Sequence, residues 1–316
     1  MNVQRVLSMH VTNGDAVVYL FRKAGVVGTH VPWRDALHEG PVPPLSSLEQ
    51  LSALRGAYLA RRGFGKPIKI LHDFEERDAA IQRAPEFSEI VLWFEHDLYD
   101  QLQIAQILVT LDALALEPGR VHLIASDQYL GSMTADEIAE LHPKRRVVTR
   151  STFDAARAVW TAFTAGDPQA LLEHTRRDVP GLAHMRAALV RLCQEFPWTR
   201  DNLSRSQRHA LEAVAQGPGA RDELFRRAQA REEAPFLGDA PFYAIISDLQ
   251  SSAAPLVETF GETLVPTVLG RSILAGDGRW DAAPSRWIGG VDLELTPYLW
   301  DDDAQKFLAV DEAVRP

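Results

Sequence analysis

Histidines and carboxylates recur where apolar runs of this chain end. His10 stands just before Asn13, Gly14 and Asp15. Arg34 and Asp35 precede His38 and Glu39. Glu95, His96 and Asp97 lead into Tyr99, Asp100 and Gln101, and Asp127 closes a further apolar run. Imidazoles and carboxylates gathered at one site can exchange protons with water or a hydroxyl. General acid–base chemistry is therefore the first expectation, with His10, Asp15, His38, Glu95, His96 and Asp97 as its catalytic residues. Asn13, Gly14, Arg34, Asp35, Tyr99, Gln101 and Asp127 are the expected ligand-binding groups, Arg34 by gripping an anionic group. The same donors are compatible with a divalent metal, although no His-Glu-x-x-His pattern is present to specify one. Structural roles compete with these. Thr12 with Asp15, and Asp97 with Asp100, have capping-box spacing, and an acid at a helix N-terminus is favourable by ~0.3–1 kcal/mol. Capping leaves the histidines unexplained.

Other chemistries find less support. Asn13-Gly14 could offer backbone N–H groups to an anion, but Asp15 beside them repels a bare phosphate unless a cation intervenes. Neither the dinucleotide glycine fingerprint nor the P-loop occurs, and no Gly-x-Ser-x-Gly elbow marks a serine hydrolase. Gly63-Phe64-Gly65-Lys66 does not read as a strand-to-helix turn. Trp33 and Tyr99 have rings that could stack on a planar ligand, with wall packing the plainer role for Trp33. The single cysteine, Cys193, excludes a disulfide framework and a cysteine zinc site.

Delivering these residues to one place requires a particular order of elements. Val6 to Val11 reads as a strand, Ala16 to Ala24 as a helix stopped by Gly25, and Val26 to Val31 as a second strand ended by Pro32. Four prolines and a glycine make residues 32–44 a loop. Ser46 and Glu49 have capping-box spacing and open a helix to about Arg62, with another from Phe74 to Arg83. Glu89 to Phe94 is a nearly continuous apolar run, as in a strand covered on both faces, and a long helix follows Asp97. Val121 to Ala125 is a strand, Thr134 and Glu137 cap a helix, and Arg146 to Thr149 forms an edge strand. Alternating strands and helices predict a Rossmann-like, mostly parallel sheet whose strand ends share one edge, where a ligand crevice opens.

From Ser151 the pattern is helical, over about 151–165, 168–175 and 180–196. Further helices span Ser204 to Ala215, Ala220 to Ala230 and Pro241 to Ser251. Gly261 then sits between two strand-like runs, and a last helix covers Val268 to Ala275. Three helices followed by a hairpin is the order of a winged helix. The expected α/β organisation is a Rossmann-like domain over 1–150 carrying the site, a helical connector over 151–200, and a winged-helix-like domain with an acidic tail over 201–316.

Several of these stretches resemble the DUF1835 family, a bacterial family of unknown function. They are His10-Val11-Thr12-Asn13-Gly14-Asp15, Pro32-Trp33-Arg34-Asp35 with His38-Glu39-Gly40-Pro41, and the run from Leu92 to Gln101. The family's longer members are also similar at Phe236-Leu237-Gly238-Asp239 and Arg286-Trp287-Ile288-Gly289-Gly290. The resemblance spans nearly the whole chain and implies that these loops form one site. It brings no reaction with it.

Composition limits the partners. The 316 residues are 46% hydrophobic and 24% charged, as in ordinary globular chains, which excludes disordered and fibrous classes. Net charge is −10, without the basic footprint of a sequence-independent nucleic-acid binder. The helix from Pro241 to Gln250 has no lysine or arginine, so specific DNA is not an expected partner. No apolar run is long enough for a membrane span, and a cytoplasmic protein is expected. The favoured reading is a protein that binds a polar or anionic small molecule or nucleotide and acts as a hydrolase or group transferase, or binds without turnover. The alternative is a regulator or adaptor that contacts a protein partner, or a second copy of itself, through its C-terminal domain.

Overall fold

The computed structural model describes residues 7–310 apart from positions 46, 118, 296 and 297. In chain order the first elements are β1 (Ser8–Thr12), α1 (Val18–Lys23), β2 (Thr29–Pro32), β3 (Gly40–Pro41), α2 (Leu48–Arg61), α3 (Pro67–Gln82), β4 (Glu89–Phe94), α4 (Leu98–Ala113), β5 (Val121–Ala125), α5 (Ala135–Leu141) and β6 (Arg146–Val147). Five of the strands form a sheet in the order β2-β1-β4-β5-β6. The first four run parallel, and β6 closes the edge antiparallel to β5.

Both faces of this sheet are covered, so its strands are apolar throughout. Met9, Val11, Ile90, Leu92 and Phe94 belong to the core shared with α4. Val91, Trp93 and Ile124 pack on the opposite side with Phe21 of α1 and Ile138 of α5. The chain leaves β1 toward β2 on one side and leaves β4 toward β5 on the other. The connections thus diverge above β1 and β4, and a crevice opens at the C-terminal ends of those two strands.

Several local expectations shift. Ser46, read as a helix cap, lies outside the described residues; α2 is capped by Ser47, whose side chain accepts from the Gln50 amide. Thr12 and Asp15 form no cap: Thr12 Oγ1 donates to the Gly14 carbonyl at 2.8 Å, and α1 begins only at Val18 without a side-chain cap. α3 starts seven residues before the expected Phe74, with Pro67 in its first turn, where a missing N–H costs nothing. The edge strand stops at Val147, and Thr149 instead caps the next helix.

The chain continues through α6 (Arg150–Thr164), α7 (Leu172–Arg176), α8 (Met185–Cys193), α9 (Arg205–Ala215), α10 (Arg221–Gln229) and α11 (Asp239–Ser251). The hairpin of β7 (Val257–Phe260) and β8 (Thr263–Pro266) follows, then α12 (Val268–Ala275). Short strands β9 (Trp287–Gly289), β10 (Val291–Asp292), β11 (Tyr298–Asp301) and β12 (Lys306–Ala309) end the described fold. α8 begins later than expected because Gly181, at φ +76°, sits in a turn before it. α6 and α8 share the apolar core of the sheet, whereas α9, α10 and α11 surround a second core with Trp280. β3 pairs in parallel with β9, tying the proline-rich loop to the distant segment at Ile288. Gly40 in that loop has φ +84°, and a Cβ there would meet the Tyr58 ring at 2.3 Å, so glycine is required on both counts. No helix among the described residues is long and apolar enough to cross a membrane.

Candidate functional site

The β1–β2 ladder continues past the strand ends. The Trp33 amide donates to the Thr12 carbonyl at 2.8 Å and the Arg34 amide to the Asn13 carbonyl at 2.9 Å. This holds Asn13 and Arg34 side by side at the crevice, with Arg34 in the left-handed region at φ +59°. Such a backbone costs an arginine about 1–2 kcal/mol and persists only where its surroundings fix it. From the other strand, Asn13 Nδ2 donates to Asp100 Oδ1 at 2.9 Å. The loops after β1 and β4 therefore meet directly.

The turn after β4 carries three carboxylates. Asp97 caps α4, accepting from the Asp100 amide at 3.1 Å. Asp100 bends back to accept the Glu95 amide at 2.5 Å, and Glu95 Oε1 accepts the Leu130 amide at 2.7 Å. One oxygen from each of Glu95, Asp97 and Asp100 lies within 4.8 Å of the other two, and all three residues are buried. Burial is the main reason their carboxyls titrate high, and their mutual repulsion adds to it for Asp97 and Asp100. Asp97 is pushed up to about 7, Asp100 well above the usual range, and Glu95 upward by burial.

A cavity of about 520 Å³ opens beside this trio. Glu95, Asp97 and Asp100 line one part of it, and Arg34, Lys66 and Lys69 bring positive charge. Asp73 pairs with Lys69 at 2.5 Å and lies 3.6 Å from Arg34, so the cationic side is partly compensated. Phe64, Tyr99, Tyr129 and Phe236 provide aromatic wall. His38 lines the cavity too. Both its ring nitrogens lack a hydrogen-bond partner, and burial pushes its pKa down to about 3, so the ring is neutral at pH 7.

No protein-family model matches this chain, and no curated protein matches it.

The cavity gathers Asn13, Arg34, His38, Glu95, Asp97 and Tyr99 from the expected set. The remainder are elsewhere. His10 lies within β1, two residues before its end, on the face covered by α1 and α5. It accepts a 3.1 Å hydrogen bond from Trp93 Nε1, packs against Phe21, His30 and His142, and is held down at about 4 by burial. The three histidines therefore do not share one cleft. Asp15 is exposed and holds the Arg34 guanidinium with two bonds of 2.6 and 2.7 Å, outside the lining. Gly14 is not in the wall. Asp35 is fully buried against Arg55 at 3.0 Å and anchors the proline-rich loop to α2. Gln101 donates to the Glu95 carbonyl at 2.6 Å, fixing the turn from behind. His96 packs against Tyr129 and His184, one ring removed from the cavity, and Asp127 is exposed near His184. Trp33 is a core residue, its indole bonded to Gln106 at 2.6 Å.

Sequence reading missed Lys69 and Asp73, and it set aside the Gly63-Phe64-Gly65-Lys66 stretch, of which Phe64, Gly65 and Lys66 line the cavity. The available signal was Pro67, a helix-start residue that places Lys66 at the N-cap of α3 and Lys69 and Asp73 on its first two turns. Tyr129 had no local signal, and Phe236 was marked only as part of the Phe236-Leu237-Gly238-Asp239 stretch.

Proposed function

We propose that this cavity binds an anionic small molecule, a nucleotide or another phosphate-bearing compound, and supports its hydrolysis or the transfer of a group from it. The observation that carries this reading is the polarity of one cavity. Arg34, Lys66 and Lys69 offer positive charge for an anionic group, while the carboxylates offer proton-accepting atoms and His38 a neutral ring that can hydrogen-bond the ligand. Lys66 has no ion-pair partner among the described residues, so its charge is available to a ligand. Aromatic rings between the charged groups suit a planar base. The segments that resemble DUF1835 supply Asn13, Arg34, His38, Glu95, Asp97, Tyr99, Asp100 and Phe236 to Gly238 of the cavity lining, which supports the reading.

Calorimetric titration with a nucleoside triphosphate, pyrophosphate and the uncharged nucleoside tests the reading. Binding of the phosphorylated compounds at least about tenfold tighter than the nucleoside, lost in Lys66→Gln, is expected. Equal or absent binding of all three would overturn it.

The segment from Pro235 to Gly238 and the start of α11 form part of the wall of the site in this reading. Pro241 of α11 lines the cavity, and Asp248 accepts two bonds of 2.9 and 3.0 Å from Arg62. Only Asp239, Ser247 and Ser251 of α11 are exposed, and none is cationic. If α9 to α11 with the following hairpin are a winged helix, the helix that would read DNA is already occupied. Anisotropy titration with duplex DNA at ~50–150 mM salt should show no sub-micromolar binding.

A further inference from the structure

The other buried acids among the described residues have cationic partners. Asp35 meets Arg55, Asp201 meets Arg200 and Arg208, and Glu195 meets Arg191 and Arg286. Among the described residues no lysine, arginine or histidine nitrogen comes within 4.0 Å of Glu95, Asp97 or Asp100. Their protein partners are amides: the Leu130, Asp100 and Glu95 backbone N–H groups and the Asn13 side chain. An amide dipole offsets only part of a buried charge, so three such carboxylates together either hold protons or take a counter-ion, and a cation at the site displaces those protons. A second observation is independent of the acids. His38 is 5% exposed, lines the same cavity, and leaves both ring nitrogens without a partner. A neutral imidazole in that condition calls for a water or ligand beside it.

We propose that Glu95, Asp97 and Asp100 hold a hard divalent cation, Mg²⁺ or Mn²⁺, and that the anionic ligand enters as its complex with that ion. The proposal rests on the preceding reading of the cavity and deepens it. The donors are all oxygens, which select a hard ion over zinc or copper. Backbone amides already occupy several carboxylate lone pairs, so the protein supplies a few ligands and water or phosphate oxygens supply the rest. That partial set suits a small six-coordinate ion better than calcium, which takes six to eight oxygens. With the ion in place the three carboxylates act as ligands. His38 then stands in the cavity wall as a neutral imidazole with both ring nitrogens open to hydrogen-bond the bound complex or its water.

The test is a Mn²⁺ titration of the full chain after chelation and dialysis, with free Mn²⁺ read by electron paramagnetic resonance. One saturable site per chain is expected, displaced by excess Mg²⁺. Asp97→Asn retains an oxygen for the helix cap, and Glu95→Gln retains one for Leu130. Each should weaken Mn²⁺ by at least about tenfold, the size of effect that loss of even an outer-shell partner produces, while circular dichroism confirms the fold. No saturable uptake, or uptake unaltered in both variants, overturns the proposal. Binding of pyrophosphate in chelator separates the two readings. If pyrophosphate binds and Mn²⁺ does not, the cation site fails and the anion cleft stands. If Mn²⁺ binds and no phosphorylated compound does, the reverse holds.

Discussion

Glu195 and Glu232 each meet Arg191 at 2.7 Å, with Arg286 adding further positive charge and the His209 ring 3.0 Å from Glu232, whereas Glu95, Asp97 and Asp100 meet amides alone. The same side-chain chemistry therefore titrates in opposite directions. Burial pushes Glu232 up, but Arg191 and His209 outweigh it and hold the carboxyl down at about 2. Burial pushes Asp97 up to about 7, with Glu95 adding to the rise. The paired group is scaffold. Arg191 also lies 4.8 Å over the Phe236 ring, which in turn meets His38 at 5.0 Å. It thereby props the wall of the cavity from outside. The unpaired group is the place where the fold leaves charge for something else to satisfy.

The largest effect should come from breaking the paired group. Arg191→Met leaves Glu195 and Glu232 buried without their main partner, a loss of about 3–5 kcal/mol. Urea denaturation measures it, and ligand affinity should fall along with stability because Phe236 loses its support. A loss below ~1 kcal/mol would mean that Arg286, Arg205 and His209 carry the group without Arg191.

Amide substitutions should separate the two groups next. Glu232→Gln removes a charge that Arg191 and His209 favour and should cost about 1.5–3 kcal/mol, the range for charge-assisted bonds. Asp97→Asn removes a charge that its neighbours oppose and retains a capping oxygen, so metal-free stability at pH 8 should stay level or rise. Equal destabilisation by both would erase the distinction.

The cleft was partly legible because some of its causes are local. The apolar run from Glu89 to Phe94 and the cap at Asp97 announce a buried strand turning into a helix, and β4 and α4 occur there. His10 misled because one residue along a strand reverses the face; β1 extends to Thr12 and turns His10 away from the crevice. Asp35 looked like a site acid, but its partner Arg55 stands twenty residues on, and no local rule announces that pair. Likewise Arg191 and Glu232 are 41 residues apart. The distinction between paired and unpaired acids exists only in three dimensions.

Acid and base titration should show the contrast without changing the scaffold. Glu232 has its folded pKa below the ordinary 4.5, so it contributes stability above about pH 4.5 that is lost as pH falls toward 2. Asp97 has its folded pKa above the ordinary 3.8. Its contribution is present below about pH 4 and is lost as pH rises toward 7. His10 and His38 both have lowered pKa values and lose stability as pH falls below about 6.5, which masks the Asp97 slope in the raw curve. Subtracting the Asp97→Asn curve, measured in chelator, isolates it. A difference that rises with pH between 4 and 7 would contradict the assignment.

Arg34 should give the smallest change in stability, and for that reason it sharpens the comparison with Arg191. Its guanidinium holds Asp15 in a two-bond fork, but the Asp15 side chain is 64% exposed, so water and salt screen the pair. Exposed pairs of this kind contribute about 0.2–1 kcal/mol. Arg34→Lys retains the charge and meets the same left-handed backbone, so the strain at φ +59° is unchanged. What it removes is the planar fork that can grip a phosphate with two parallel bonds. The melting temperature should therefore move little, and less still in 0.5 M salt, while pyrophosphate affinity falls severalfold. A stability loss above ~2 kcal/mol would make Arg34 a second Arg191, committed to the scaffold, and would remove it from the groups that face the ligand.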